Sequence, residues 1–361
     1  MWRVIFISFF LFLAGDLYSQ SKKKDKKSGA DTTRSLDPAA DLYKAANKLV
    51  DSSQYKEAIK AFTKAIKIRK DYAEAYNRMA FCYMELKDYE NAQKNMELSL
   101  KFKPDNFEGV KYIGRICFLE KKYDEAKKYF SDAEKMEPTD KELMFYIAQL
   151  KEVGQDIKGA LDMYSAIIQE HENYGPAYVN RGMLKYKQKQ FPYAIKDIEI
   201  GLKLLKYKDV DDEVYNNLAQ AKFEADDYKG AIKCFDTLIK RNAKNEFALT
   251  YRGASKIEVN DFSGAVMDLT EAIKINSKSY VAYNFRGTAK GGLKQYIEAL
   301  KDLDYSIKLK FDYPSSYVNR ASIRMASKDR KGACEDLQKA DQLGSNVAYR
   351  LIQQYCGGPD Y

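Results

Sequence analysis

The sequence predicts an all-helical array of antiparallel helix pairs, and three observations carry that prediction. Composition is the first. Pro is scarce at 7 and Gly modest at 19 in 361 residues, while helix-favouring Ala, Lys, Leu and Glu are prominent. The second is a period. An alanine recurs at Ala58, Ala92, Ala126, Ala160, Ala194, Ala231, Ala265, Ala299 and Ala333, every interval being 34 residues except one of 37. A fixed spacing of this size marks a repeat architecture. Third, each unit holds two apolar runs at helical spacing, split by a short polar break such as Glu85-Leu-Lys-Asp88, so each unit is a helix pair.

The chain opens with a different pattern. Arg3 precedes an apolar run from Val4 to Gly15 interrupted only by Ser8, and Asp16 to Gln20 turns mostly polar. A run of about twelve is too short to span a bilayer, which needs about twenty, but suits a signal-peptide core. Residues 1–20 are therefore expected to be a signal peptide cut around Ser19 or Gln20, with an uncleaved anchor as the alternative. Export to the periplasm, the cell envelope or the outside follows. Residues 21–38 are expected to be a disordered linker, because Lys22, Lys23, Lys24, Lys26 and Lys27 come with almost no apolar residue. Residues 21–37 hold six basic and three acidic residues, part of a total of +9. This tail could dock on a membrane or anionic polymer, or serve as a solvated spacer. The rest of the chain shows no clustered Arg or zinc-finger pattern, so no nucleic-acid partner is expected.

The repeat reads Tyr-x-x-Ala-(Ile/Leu)-x-x-(Phe/Leu)-x-x-Ala, as at Tyr55-Lys-Glu-Ala58, Tyr89-Glu-Asn-Ala92, Tyr123-Asp-Glu-Ala126, Tyr228-Lys-Gly-Ala231 and Tyr296-Ile-Glu-Ala299. Twelve positions before each alanine sits another small residue: Ala46, Ala80, Gly114, Ala148, Gly182, Ala219, Gly253, Gly287 and Ala321. Small residues on both helices let the backbones approach, and Phe62, Phe130, Tyr164 and Phe235 can fill the space beside them. In period and in the placing of these residues the chain resembles the tetratricopeptide repeat. It departs from that family in keeping the usual late proline only as Pro104 and Pro138, and in placing Arg330 where an aromatic is typical.

The resemblance implies a right-handed superhelical solenoid, because one hairpin cannot bury its own apolar face and must stack on the next. Nine units are expected, at 39–72, 73–106, 107–140, 141–174, 175–211, 212–245, 246–279, 280–313 and 314–345. A three-residue insertion falls near Asp209, Val210 and Asp211. Residues 346–361 would form a capping helix and tail, with Val347, Leu351, Ile352 and Tyr355 as its apolar stripe.

Catalysis is not expected. His171 is the only histidine, which rules out multi-histidine metal sites and leaves a single residue for any Ser-His or Cys-His pair. There is no phosphate-binding glycine loop, and no cofactor is expected. Cys82, Cys117 and Cys234 fall at core positions and read as buried thiols. Cys334 and Cys356 lie on the last repeat and on the capping helix. Either they are free, or they form a disulfide closing a loop of about 22 residues.

Two further patterns emerge from aligning the units with one another. Arg181, Arg252, Arg286 and Arg320 stand at a normally apolar position, and the same four units place Asp197, Asp268, Asp302 and Asp336 sixteen residues later. Four stacked Arg–Asp ion pairs are predicted. The family resemblance also implies that each first helix lines a concave groove for a peptide or partner protein. By position that groove would comprise Tyr43, Asn47, Asn77, Arg78, Phe81, Lys111, Tyr112, Arg115, Phe118, Phe145, Tyr146, Asn180, Asn216, Asn217, Tyr251, Asn284, Phe285 and Asn319. Asn can both donate to and accept from an extended backbone, while Tyr and Phe offer rigid contact area. The carboxylate clamp of one subfamily is not matched. Asn47 fits it, but Tyr43, Arg78, Glu108 and Tyr112 stand at its other positions. The chain reads as a non-catalytic scaffold that binds another protein or a peptide.

Overall fold

A computed structural model describes residues 37–205 and 210–357. The expected signal peptide, almost all of the Lys-rich linker and part of the insertion lie outside these residues. Among the described residues there are nineteen helices and no strand, and no helix is long and apolar enough to cross a membrane. The described residues divide into two compact units, with the division between Arg181 and Gly182.

The amino-terminal unit holds α1 (Pro38–Asp51), α2 (Tyr55–Ile68), α3 (Ala73–Glu85), α4 (Tyr89–Phe102), α5 (Phe107–Leu119), α6 (Tyr123–Met136), α7 (Lys141–Val153) and α8 (Ile157–Glu170). They pack in pairs, α1 on α2 through α7 on α8, and each second helix also meets the first helix of the next pair where α2 touches α3, α4 touches α5 and α6 touches α7. α9 (Gly175–Lys187) runs through the division. The carboxy-terminal unit continues with α10 (Phe191–Leu204), α11 (Asp212–Glu224), α12 (Tyr228–Arg241), α13 (Glu246–Glu258), α14 (Phe262–Ile275), α15 (Tyr280–Gly292), α16 (Tyr296–Leu309), α17 (Pro314–Ala326), α18 (Arg330–Gln342) and α19 (Asn346–Tyr355). Here α10 packs on α11, α11 on α12 and so on to α18 on α19.

α1 begins at Pro38, one residue inside the segment expected to be linker. Pro suits the first helical turn, where its missing N–H is no loss, and the Asp37 carboxylate accepts from the N–H groups of Ala39 and Ala40, each at 3.1 Å.

The turn between the helices of a pair has the same backbone throughout, and in five of the nine pairs an Asp side chain also caps the second helix. After α3, Asp88 N–H donates to Tyr83 C=O at 2.9 Å while Lys87 takes φ of 61°. Asp88 then caps α4 through its side chain. One residue thus closes one helix and precedes the next, and the three-residue connection from Leu86 to Asp88 takes a left-handed backbone at its middle. Ser53, Lys121, Gln155, Lys189, Asp226, Asn260, Lys294 and Lys328 occupy the equivalent place, with φ from 57° to 67°. Glycine is the usual choice there, yet none of the nine turns uses it.

The core follows from the small residues. Ala46, Ala58, Ala80 and Ala92 are fully buried, as are Phe62, Tyr164 and Phe235. At Gly114 a Cβ would come within 2.6 Å of the Phe130 ring, so the missing side chain is what lets α5 lie against that ring. The carboxy-terminal end is closed by α19. Ala348, Leu351 and Ile352 pack with Ala333, Leu337 and Ala340 of α18. Cys334 and Cys356 are disulfide-bonded with their Cα atoms 5.9 Å apart. Arg330 donates to Tyr355 C=O at 2.8 and 3.2 Å, covering a carbonyl at the helix end that has no partner within the helix. Cys82 and Cys117 are buried as expected, but Cys234 is only partly so.

Candidate functional site

The side chains expected to line the groove lie on the first helices of successive pairs, and those helices touch: α1 meets α3 and α5 meets α7 in one unit, α13 meets α15 and α15 meets α17 in the other. In the amino-terminal unit they form a connected run. Arg78 Nε donates to Asn47 Oδ1 at 2.8 Å, and the Asn47 amide donates to Tyr43 C=O at 3.1 Å. Arg78 sits 5.5 Å from the Phe81 ring centre, Phe81 lies 6.4 Å from Tyr112, and Arg115 lies 5.6 Å from Tyr146. Tyr146 stacks on Phe130 at 5.9 Å and 8°.

Five of the eighteen expected residues are buried and face their own neighbours. Phe118 and Phe145 pack in the aromatic core, Phe118 on Tyr123 and Phe145 on Tyr164 and Tyr174. Asn180 is buried and donates to Pro176 C=O at 3.0 Å. Asn284 is buried and accepts from Asn319 Nδ2 at 3.0 Å. Lys111 is the clearest case, with 2% of its surface exposed. Its ammonium meets Glu108 at 3.1 Å, Asp140 at 3.2 Å and Glu142 at 3.4 Å. Burial opposes that charge, but the three carboxylates outweigh it and hold the Lys111 pKa above its ordinary value. The other thirteen remain partly exposed, among them Asn77, Asn216, Asn217, Tyr251 and Phe285. Tyr251 lies 6.4 Å from Phe285, and Asn217 lies 3.2 Å from the Met183 sulfur.

The ion pairs occupy the seam between the helices of a pair. Arg252 donates to Asp268 from Nε at 2.8 Å and Nη2 at 2.6 Å; Arg286 does so to Asp302 at 2.8 and 2.7 Å; Arg320 does so to Asp336 at 2.9 and 2.5 Å. Two-pronged contacts of this kind are the strong ones. Burial opposes the charge of Arg252 and Arg320, yet their hydrogen-bonded aspartates hold both pKa values above the ordinary one. Arg181 and Asp197 belong to different units. Arg181 donates to Ser165 Oγ at 3.1 Å and Asp197 accepts from Lys185 at 2.8 Å.

Three of the aspartates also take a second cation that sequence reasoning missed, Lys256 on Asp268, Lys290 on Asp302 and Arg324 on Asp336, and Lys185 sits on Asp197 in the same way, between 2.7 and 2.9 Å. Each arginine reaches back as well, to Ser165, Asp236, Thr270 or Asp304 on the preceding second helix. Both signals were present in the sequence, as a cation four residues after each Arg and an oxygen sixteen before it. The rungs are therefore joined from one pair to the next.

Family models for the tetratricopeptide repeat match residues 49–111, 113–140 and 212–245. The first two matched stretches lie in the amino-terminal unit and the third in the carboxy-terminal unit. It is similar to Hsp70-Hsp90 organizing protein 1 of Glycine max, 30% identical over 98 residues, which are 27% of this chain and 17% of that protein. It is also similar to the transcription factor tau 131 kDa subunit of Saccharomyces cerevisiae, 37% identical over 71 residues, 19% of this chain and 7% of that one. The chain thus spans a small fraction of the length of either relative. Among solved structures, pilF of Pseudomonas aeruginosa shares the fold with a TM-score of 0.51 at 14% identity, covering 60% of this chain and 98% of that one.

Proposed function

We propose that the protein is a non-catalytic scaffold of the cell envelope that holds a peptide segment or partner protein along the concave groove of its first helices. The observation that carries this reading is the connected run from Tyr43 and Asn47 through Arg78, Phe81 and Tyr112 to Arg115 and Tyr146. It is a continuous strip of half-exposed aromatic and hydrogen-bonding side chains. Its residues are braced from behind, by Lys111 and its carboxylates and by the Phe130 stack, so the binding surface is stiff before a partner arrives. Similarity to an Hsp70-Hsp90 organizing protein agrees with an interaction role. The envelope assignment rests on the apolar run of residues 4–15.

A display library of random octapeptides panned on the full-length protein tests the groove. Enrichment of a peptide family that Tyr112→Ala abolishes and Met267→Ala leaves intact is expected, Met267 being 73% exposed on α14. Enrichment that survives Tyr112→Ala would sink the groove assignment. Amino-terminal sequencing of fractionated native protein tests export, and a start at residue 20 or 21 in the envelope fraction is expected. The second reading, docking through the Lys-rich tail, is favoured by the charge of residues 21–37. It requires that their deletion abolish salt-sensitive envelope association.

A further inference from the structure

The cations on the first-helix face of the amino-terminal unit are treated unequally. Lys111 is enclosed by three carboxylates and Arg78 is hydrogen-bonded to Asn47. Arg115 is different. Its guanidinium lies half-buried on α5 over the Tyr146 ring, and it makes no hydrogen bond or ion pair among the described residues. A guanidinium carries five N–H donors in a fixed fork. Half-buried donors generally find acceptors, and each ladder arginine in the other unit donates from all three of its nitrogens.

The titratable groups facing Arg115 are Tyr146, Tyr112, Glu85 and Glu142. Glu142 is engaged with Lys111. Glu85, at the end of α3, forms no ion pair with Arg115, and burial pushes its carboxyl pKa up. Burial likewise pushes the Tyr112 and Tyr146 phenols up, so both keep their protons and remain donors. The place is thus rich in donors and short of an acceptor. Its parts are held in advance, Tyr146 by its stack on Phe130 and its edge contact with Phe145 at 6.0 Å. Apolar surface continues beside it through Phe81.

We infer that Arg115 is the specificity-setting residue of the amino-terminal groove, receiving the side-chain carboxylate of an Asp or Glu in an extended partner peptide. The inference rests on the groove reading above and adds the chemistry of the occupant. A carboxylate matches the guanidinium fork with two parallel hydrogen bonds, and the neighbouring phenols can complete its coordination.

Peptides enriched from the octapeptide library on the full-length wild-type protein are expected to share one acidic position. Arg115→Leu should erase that preference and weaken the best acidic peptide roughly ten-fold or more, measured by fluorescence polarisation, while binding its Asn- or Gln-substituted counterpart about as well as the wild type does. Glu85→Gln should act in the opposite direction and tighten the acidic peptide, because it removes a like charge facing the site. That opposite sign separates an effect on recognition from damage to folding. Enriched peptides with no acidic position, or an acidic preference unchanged in Arg115→Leu, would overturn the inference and leave the groove reading standing. If the wild type enriches no peptide at all, the groove reading fails and this inference fails with it.

Discussion

Removing the Asp302 carboxylate should be among the most damaging single changes in the carboxy-terminal unit. Its side chain is 8% exposed and accepts three charged hydrogen bonds, from Arg286 at 2.8 and 2.7 Å and from Lys290 at 2.7 Å. In Asp302→Ala the Lys290 ammonium can swing to water, but the Arg286 fork stays in the seam between α15 and α16 with only Thr270 at 3.3 Å. An uncompensated cation in such a place costs about 3–5 kcal/mol. Because Arg286 is 16% exposed, a value near 3 kcal/mol is expected, read as the shift of a urea unfolding curve followed by circular dichroism. Asp304 is the control. It meets Arg320 at 2.6 Å, but its side chain is 58% exposed, and Asp304→Ala should cost under about 1 kcal/mol. The double variant Arg286→Leu with Asp302→Leu removes both charges, and it should be markedly more stable than the sum of its single changes predicts. A cost under about 1 kcal/mol for Asp302→Ala, or additive costs in the double variant, would refute the reasoning.

Three further predictions concern the core, the cap and the thiols. Gly253→Ala places a Cβ within 2.7 Å of Leu269 Cγ, and the strain should lower stability by about 1–3 kcal/mol in the same unfolding assay. Cys356→Ser opens the 22-residue loop closed by the disulfide. It should destabilise by about 3 kcal/mol, with faster amide exchange in α19 than in α17. The remaining thiols are pushed up by burial, Cys82 to about 12 and Cys117 and Cys234 to about 11. They should resist iodoacetamide at pH 8 in the folded protein and react once it unfolds, as counted by mass spectrometry. The same shifts fix a sign. The unfolded chain ionises its thiols first, so stability should fall as pH rises through 9 toward 11 and 12.

Much of the fold was legible because the repeat is local. The spacing of Ala58, Ala92 and their successors reports two helices that must lie against each other, and helix-period patterns need no knowledge of distant contacts. The Arg–Asp spacing was legible for the same reason, since sixteen residues is the distance across one hairpin. The second cation on Asp268, Asp302 and Asp336 escaped notice, although Lys256, Lys290 and Arg324 follow their arginines at a helical interval of four. Charged residues at that interval are common on solvated faces, so the pattern alone did not stand out. The left-handed turns at Lys87, Lys121 and their equivalents were not legible either. Glycine is the usual signal for that backbone, and here it accompanies the backbone N–H at the start of each second helix bonding back to a carbonyl of the first.

The candidate site divides in the same way. Sequence position determined which side chains stand on the first helices, because side chains three and four residues apart share a face. Only the tertiary structure decided which of them are buried. Lys111 looks like a groove cation in the sequence, yet Asp140 and Glu142 approach from the next pair of helices and enclose it. Arg115, four residues later on the same helix, gains no such carboxylate and keeps its donors open. Burial is set by what the neighbouring pair brings to the contact, and a period of 34 residues repeats the backbone without repeating those neighbours.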